Sequence, residues 1–168
     1  MRIILWIMIG LMALGSVALE EIYAEPFRLH ILAHSDDYAD QQVKIKVRDA
    51  ILRETEEVFR GAFAEEQAEK YAAEHLEELV RIANEVLREN GFTYTASAEV
   101  GSFLFPERTY GARIYPAGEY RALRITLGEG NGHNWWCVLY PPLCMTEITG
   151  EDAEIRSYIA DWLKGVFS

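Results

Sequence analysis

The residues of this chain that are suited to chemistry are four histidines, two cysteines and one serine that stands between a histidine and an aspartate. His30 and His34 lie four apart in a segment with strand-like alternation, so they do not form the helical H-E-x-x-H pair of zinc proteases. These two histidines, with His133 and either Asp36 or Asp37, have the side-chain types of a metal site, but nothing in the spacing fixes the ligand geometry. We therefore expect neither a metal nor a cofactor.

Nucleophile and phosphate motifs are incomplete. Ser35 stands between His34 and Asp36, but neighbouring side chains on a strand diverge, and the G-x-S-x-G elbow is absent. A cap or turn role explains Ser35 better. The glycines of residues 128–132 precede a strand pattern rather than the helix that a dinucleotide fingerprint needs, and they predict a hairpin loop with positive φ. We assign no catalytic residue.

Both cysteines lie in residues 128–144, together with two adjacent tryptophans and a Pro-Pro pair. Cys137 and Cys144 match no zinc pattern of paired C-x-x-C units. In an oxidising exterior they would close an eight-residue loop, a bridge worth about 2.5 kcal/mol on the chain-entropy model. The alternative is a pair of buried thiols packed as small hydrophobes. Spacing alone leaves both open.

Length and charge narrow the class of protein. A chain of 168 residues suits one domain. The net charge of -11 argues against a nucleic-acid partner, because phosphates need a basic stripe. It also argues against docking on anionic lipid by charge.

The N-terminus predicts export. Residues 3–19 form an uncharged, mainly apolar run between Arg2 and Glu20. As a helix the run reaches about 26 Å, slightly less than a hydrocarbon core, and it has no polar face. We expect residues 1–19 to be a signal peptide or a membrane anchor, with small residues that suit cleavage after Ala18. Residues 20–26 are then a spacer and residues 27–168 a single globular domain.

Periodicity places the elements that must position these residues. Alternation predicts a strand at residues 27–33, with Phe27, Leu29, Ile31 and Ala33 on one face. Helical spacing predicts helices over residues 43–58, ending near Gly61, and over residues 64–89. Period two returns at 92–100, 119–127 and 135–140, with poorer candidates at 103–105 and 108–110, and residues 151–164 predict a closing helix. The order of an N-terminal signal or anchor helix, one strand, a two-helix hairpin, consecutive strands and a C-terminal helix predicts an α+β fold with a mainly antiparallel sheet.

Several charged and polar side chains surround the point where the first strand meets the first helix. We expect them to form one polar cluster, with a structural role as the first explanation, because ion pairs commonly flank the boundary of an element. The members of the predicted cluster are Arg28, His30, His34, Asp36, Lys44, Arg48 and Asp49.

Three blocks of the chain resemble the stage II sporulation protein R family of endospore-forming bacteria, over roughly residues 27–147. The first block is RLHILAHSD (28–36), followed by residues 40–41, 44 and 46–50. The second comprises residues 110–111 and PAGEYRALRI (116–125), and the third is GEGNGHNWWCVLYPPLC (128–144). One departure is His34, where family members usually carry Asn.

The resemblance implies a secreted signalling protein without enzymatic activity. Family members are made in the forespore, cross its membrane and act in the space between forespore and mother cell. There they trigger a membrane-embedded aspartic-type protease, which then processes a precursor sigma factor of the mother cell. The expected partner is therefore that protease, and the expected membrane contact is made by the N-terminal segment.

The third block is the expected contact with the protease. Adjacent strand positions face opposite sides of a sheet, so at most one tryptophan is expected in the core. The predicted contact residues are Glu129, His133, Asn134, Trp135 and Trp136. Two other classes stay open: an extracytoplasmic hydrolase of cell-wall material with His30, His34 and Asp36 in its site, and a structural scaffold of the septum.

Overall fold

The computed structural model describes residues 25–62, 64–111 and 113–143. The predicted signal or anchor segment (1–19), most of the predicted spacer and the predicted C-terminal helix lie outside these residues. Within the described ranges, no helix is both long enough and apolar enough to cross a membrane.

The described residues form an α+β fold, as predicted. Strand β1 (Phe27–Leu32) is followed by helices α1 (Tyr38–Gly61), α2 (Glu65–Glu74) and α3 (Leu76–Glu89). Five strands come next: β2 (Ala96–Phe105), β3 (Arg108–Tyr110), β4 (Arg113–Tyr115), β5 (Gly118–Leu127) and β6 (Asn134–Tyr140).

The four long strands form one mixed sheet in the order β2-β5-β1-β6, while β3 and β4 form a separate two-stranded sheet. The β2–β5 and β1–β6 pairs are antiparallel, in agreement with the predicted mainly antiparallel sheet, which did not specify the pairs. The β1–β5 pair is parallel, with Leu29 opposite Leu123. A parallel pair needs a long crossover connection, and helices α1 to α3 lie within it.

Residues 128–133 do not form the predicted hairpin loop. Strand β1 lies between β5 and β6, so the segment crosses the end of β1 instead of joining two paired neighbours. The prediction of positive φ in this loop is confirmed at Gly128 (55°) and Gly130 (66°). The hairpin prediction was wrong because β1, a strand from the start of the domain, lies between β5 and β6. The spacing of residues in the loop gives no information on that long-range pairing.

The second predicted helix is divided in two at His75. This residue leaves helical geometry, with φ -114° and ψ 18°. Its Nδ1 lies 2.8 Å from the carbonyl oxygen of Tyr71, and the two rings stack with centroids 4.1 Å apart. A side chain that reaches into the backbone ladder in this way is a known cause of a helix break.

One face of the sheet packs on the helices and holds the main core. The predicted inward face of the first strand is confirmed, because Phe27, Leu29, Ile31 and Ala33 have no solvent exposure. The core residues opposite them share the inward faces of helices and strands. They include Val43, Val47 and Ile51 of α1, Leu79, Ala83 and Leu87 of α3, Leu123, Ile125 and Leu127 of β5, and Trp135, Cys137 and Leu139 of β6.

The opposite face of the sheet carries the side chains that alternate with the core residues. On β1 these are Arg28 and His30, both buried. The β3–β4 hairpin lies on this face, where Tyr110 and Tyr115 pack against Val138 in a small second cluster. The fold therefore separates Arg28 and His30 from helix α1.

Candidate functional site

Two chain segments meet at one end of the sheet. Residues 33–37 follow β1, and residues 128–133 connect β5 to β6. The Asn131 backbone N–H donates to the His34 carbonyl oxygen (3.1 Å), and the Gly132 N–H donates to the Ala33 carbonyl oxygen (3.0 Å). These bonds continue the pairing of β1 beyond its last residue, so the connection is fixed to the strand end.

The close approach of the two segments requires two of the glycines. A Cβ atom on Gly132 would overlap the backbone carbonyl of Ser35, and one on Gly128 would overlap the His34 ring. Gly128 also has the positive φ that glycine tolerates best. The glycine spacing that resembles a phosphate loop therefore arises from packing against residues 33–37.

A buried carboxylate ties the first segment to the rest of the domain. Asp40, in the first turn of α1, accepts hydrogen bonds from the Ser35 hydroxyl (2.5 Å) and from the Tyr94 hydroxyl (2.5 Å). Ser35 Oγ also accepts the Asp37 N–H (3.1 Å), the turn geometry predicted for it. Burial and the bond to Asp40 raise the pKa of Tyr94 well above its usual value. Tyr94 is therefore a neutral donor at physiological pH.

His133 is held from two sides. The buried ammonium of Lys44 donates to its carbonyl oxygen (2.8 Å) and to Gln41 Oε1 (2.7 Å). The His133 N–H donates to Asp36 Oδ1 (2.6 Å), and its ring Nδ1 lies 2.5 Å from the same oxygen. Slight burial acts to raise the pKa of Asp36, but the bonds from His133 outweigh it and lower the pKa. Asp36 is therefore ionised at neutral pH.

We use the name loop ridge for five exposed residues in or next to these two segments: Asp36, Tyr38, Glu129, His133 and Asn134. Asp37 and Asn131 are exposed there as well. Tyr38 is 52% exposed. Two of the other members are acidic. The ridge thus presents charge and one aromatic ring on a backbone that hydrogen bonds already hold in place. Such a surface loses little conformational entropy on binding a partner.

The five predicted contact residues are divided by the fold. Glu129, His133 and Asn134 lie exposed on the loop ridge. Trp135 is 7% exposed in the main core, with the Arg48 guanidinium 4.2 Å from its ring centroid. Trp136 lies half-buried on the other sheet face. Alternation along β6 therefore takes Trp135 into the core, whereas Trp136 lies on the same sheet face as Asn134 and stacks on His30.

The predicted polar cluster does not assemble. Alternation along β1 places Arg28 and His30, the first two residues of the predicted cluster, on the sheet face away from α1. The cluster residues of the loop lie instead at the end of the strand. Farther along α1, Arg48 pairs with its neighbour Asp49 (2.7 Å). The three separate groups are Arg28 with His30, His34 with Asp36 and Lys44, and Arg48 with Asp49.

His30 and His34 have different surroundings. His30 stacks on Trp136, with 3.8 Å between the ring centroids. Burial lowers the pKa of His30 to about 4. The side chain of Asn134 opposes this shift, and the charge of Arg124 adds to it, both to a smaller extent. Within the described residues neither ring nitrogen of His30 makes a hydrogen bond of ordinary geometry. His34 stacks on Tyr94 (4.4 Å), and its Nδ1 accepts the Glu129 N–H (3.0 Å).

The hydrolase site suggested by the sequence is not assembled by these contacts. His30 faces Trp136, His34 faces Tyr94, and Asp36 faces His133. In the described part of the chain, no group of three or more His, Cys, Asp or Glu side chains is arranged to hold a metal ion. Cys137 takes part in a disulfide. Cys144 lies outside the described residues, so its pairing with Cys137 stays a prediction.

Sequence reasoning missed three residues of this site. Tyr38, Asp40 and Tyr94 form or support the loop ridge, but the sequence analysis assigned none of them to a site, although Asp40 belongs to the first family block. Asp40 had one available signal, an acid in the first turn of a predicted helix. Tyr94 had none, because its contact with Asp40 joins positions that are distant in the chain.

Comparison with known proteins agrees with the sequence blocks. The family model described as Stage II sporulation protein R (spore_II_R) matches residues 24–150. Stage II sporulation protein R of Bacillus subtilis (strain 168) is 40% identical over 129 residues, which are 77% of this chain and 58% of that relative. The chain thus matches little more than half the length of the relative. No solved structure matches.

Proposed function

The chain belongs to the stage II sporulation protein R family, and from this premise we propose that it is an extracytoplasmic signalling ligand. Its proposed target is a membrane-embedded aspartic-type protease. Activation of that protease would then lead to processing of a precursor sigma factor in the mother cell. In this role the chain binds and activates, and it catalyses no reaction itself.

The proposed place of action is the space between forespore and mother cell. Two observations support it. Residues 3–19 are an uncharged apolar run of the kind that directs export or anchors a chain. Cys137 is oxidised, and disulfides persist outside the reducing cytoplasm.

The observation that carries the proposal is the loop ridge. It combines the exposed ring of Tyr38 with the charges of Asp36 and Glu129 on a backbone fixed to β1. Aromatic residues are enriched at interfaces and often dominate their energy. A ligand activates an enzyme when it binds the active arrangement more tightly than the inactive one. We propose that the ridge makes this differential contact.

The test replaces ridge residues in a sporulating host that lacks its own copy of the protein. We expect Tyr38→Ser to lower the fraction of processed sigma factor by about tenfold, the loss typical of one aromatic contact. Glu129→Gln should lower it less, because a charge at the rim of an interface affects association more than affinity. Immunoblotting of precursor and product over time measures both effects.

Leu104→Ser is the matched control. Leu104 is a large apolar residue that is 78% exposed, and it lies opposite Glu119 at the other end of the sheet. The length of β5 separates it from the ridge, about 26 Å at the rise of a strand. This variant should process sigma factor normally. If exported, folded Tyr38→Ser protein worked as well as Leu104→Ser, the ridge would not be the contact.

A further inference from the structure

Arg28 is fully buried and has no acidic partner in the part of the chain that the structure describes. Aromatic rings surround its guanidinium instead. The Phe105 and Tyr120 centroids lie 4.2 and 4.8 Å from Cζ, and those of Tyr115 and Tyr110 lie 5.7 and 6.0 Å away. Buried charges in proteins are normally paired. Among the described residues, the groups in contact with this cation are neutral.

The hydrogen bonds of Arg28 leave donors unused. Nε donates to the Cys137 carbonyl oxygen at 3.4 Å, a long distance, and Nη2 donates to the Tyr110 hydroxyl at 3.2 Å, the upper end of the ordinary range. Nη1 is buried and makes no hydrogen bond within the described residues. Burial lowers the pKa of Arg28, and the tyrosines only partly oppose it. A guanidinium offers five donors in one plane, so the side that carries Nη1 remains available to an acceptor.

The cover over Arg28 is a separate piece of the fold. Tyr110 and Tyr115 belong to the β3–β4 hairpin, which pairs with no other strand of the described chain. The links to the main sheet are short, residues 106–107 and 116–117. A second arginine nitrogen, Arg108 Nε at the start of the hairpin, is also buried without a hydrogen-bond partner in the described residues. Unused donors thus occur both beneath the hairpin and on it.

We propose that Arg28 and the rings of Phe105, Tyr110, Tyr115 and Tyr120 form a carboxylate-binding site covered by the β3–β4 hairpin. The occupant is an aspartate or glutamate side chain of the protein that this chain activates. A planar carboxylate matches the planar donor fork of arginine. The Tyr110 hydroxyl accepts from Nη2 and donates to the Trp136 carbonyl oxygen (3.1 Å), so it positions the guanidinium. The hairpin must lift for the side chain to enter, so occupancy and hairpin position are coupled. The identity of the partner rests on the function proposed above, whereas the site itself does not.

The first experiment tests the site without any partner. The exported form of the chain, labelled with ¹⁵N, is titrated with sodium acetate at constant ionic strength set with sodium chloride. The Arg28 Nε–Hε signal should shift and saturate. Arg121 and Arg124, which are already paired with Glu69 and Glu99 on the surface, are internal controls whose signals should not saturate. If the Arg28 signal behaves like the Arg124 signal, the site does not bind carboxylate.

The second experiment separates binding from a purely structural role. Arg28→Met removes the uncompensated charge and keeps an apolar chain of similar length, so the urea midpoint should be unchanged or higher. Sigma-factor processing should nevertheless fall by about tenfold, the loss of one charge-assisted contact. Arg28→Lys should also process poorly, because it lacks the planar fork. Arg124→Met, on the same sheet face, should process normally.

Each result has a distinct meaning. A lower urea midpoint in Arg28→Met would assign Arg28 a structural role and overturn the proposal. If a stable Arg28→Met protein supported normal processing while the parent protein showed saturable acetate binding, Arg28 would still be a carboxylate-binding site. The proposal that a carboxylate of the partner occupies it would be refuted. Failure of the loop-ridge variants to affect processing bears on the proposed function alone, because acetate binding does not depend on it.

Discussion

Gly132→Ala tests how residues 128–133 are held at the end of β1. The backbone of Gly132 does not have positive φ, so alanine is not excluded by conformation. The obstacle is packing: the new Cβ would overlap the backbone carbonyl of Ser35 and lie 3.0 Å from the Ala33 Cβ. Backbone atoms cannot rotate away as the end of a side chain can, so one of the two segments must move.

The expected cost has two parts. Extra volume in a well-packed site costs about 1–3 kcal/mol. Separation of the segments also weakens the hydrogen bond from the Gly132 N–H to the Ala33 carbonyl, worth about 1 kcal/mol. We therefore expect Gly132→Ala to lower the free energy of unfolding by about 3 kcal/mol. Urea denaturation at pH 7, followed by tryptophan fluorescence, measures it.

Two glycines without close neighbours supply the controls. Gly91 has φ 81°, and no atom lies within 4 Å of the position that a Cβ would take. Gly91→Ala should therefore lower the free energy of unfolding by about 1 kcal/mol, the cost of a left-handed backbone conformation for alanine. Gly61, the last residue of α1, is equally open and has no positive φ, so Gly61→Ala should be neutral or stabilising by up to about 1 kcal/mol. If Gly132→Ala cost no more than Gly91→Ala, the packing argument for the loop would be refuted.

Two further predictions concern His30 and the cysteines. The pKa of His30 is about 4 in the folded protein and 6.5 ordinarily, so protonation of His30 favours the unfolded state. The free energy of unfolding should therefore fall as the pH decreases from 6.5 towards 4, with a contribution from His30 of about 3 kcal/mol at most. His30→Phe should reduce the fall of the urea midpoint between pH 7 and pH 4.5; an equal fall in both proteins would contradict this. For the predicted Cys137–Cys144 bridge, thiol titration of denatured, unreduced protein should find no free thiol, and two per chain would exclude the bridge. The intact mass of the exported protein should be lower by about two hydrogens and should also report whether cleavage follows Ala18.

Local patterns in the sequence predicted the elements well where a single periodicity acts on a long segment. The alternation in residues 27–33 placed Phe27, Leu29 and Ile31 in the core, and all three are fully buried. The helix ending at Gly61 and the strand ending at Leu127 also have the predicted ends. These predictions rest on the spacing of apolar residues and on breaking residues such as Gly61 and Gly128, which a short stretch of sequence contains in full.

Long-range pairing was not predictable in the same way. The Gly-rich segment after Leu127 has the composition of a hairpin loop, and its positive φ values agree, yet its two flanking strands never pair. A loop that crosses a third strand needs the same backbone freedom as a loop that turns back. The two arrangements differ only in the position of β1, which the sequence of the loop does not encode.

The prediction of one polar cluster was wrong because it ignored the sheet face on which each residue of β1 lies. Proximity in sequence to a strand–helix boundary suggested that Arg28 and Lys44 would meet. The same alternation that buries Leu29 against the helices must turn Arg28 to the opposite face. Arg28 was therefore excluded from the cluster by a pattern already visible in residues 27–33, once the helices are known to cover a single face.

Strand β1 connects the two surfaces that we propose for binding. Arg28 lies near its start, and Asp36 follows its end, at most about 26 Å away at the rise of a strand. A protein interface of ordinary size covers about 800 Å² on each partner, a patch roughly 30 Å across. An interface of that width spans the separation between the loop ridge and Arg28 along β1. Because β1 is a central strand paired on both sides, it holds the two proposed contacts at a fixed distance from each other.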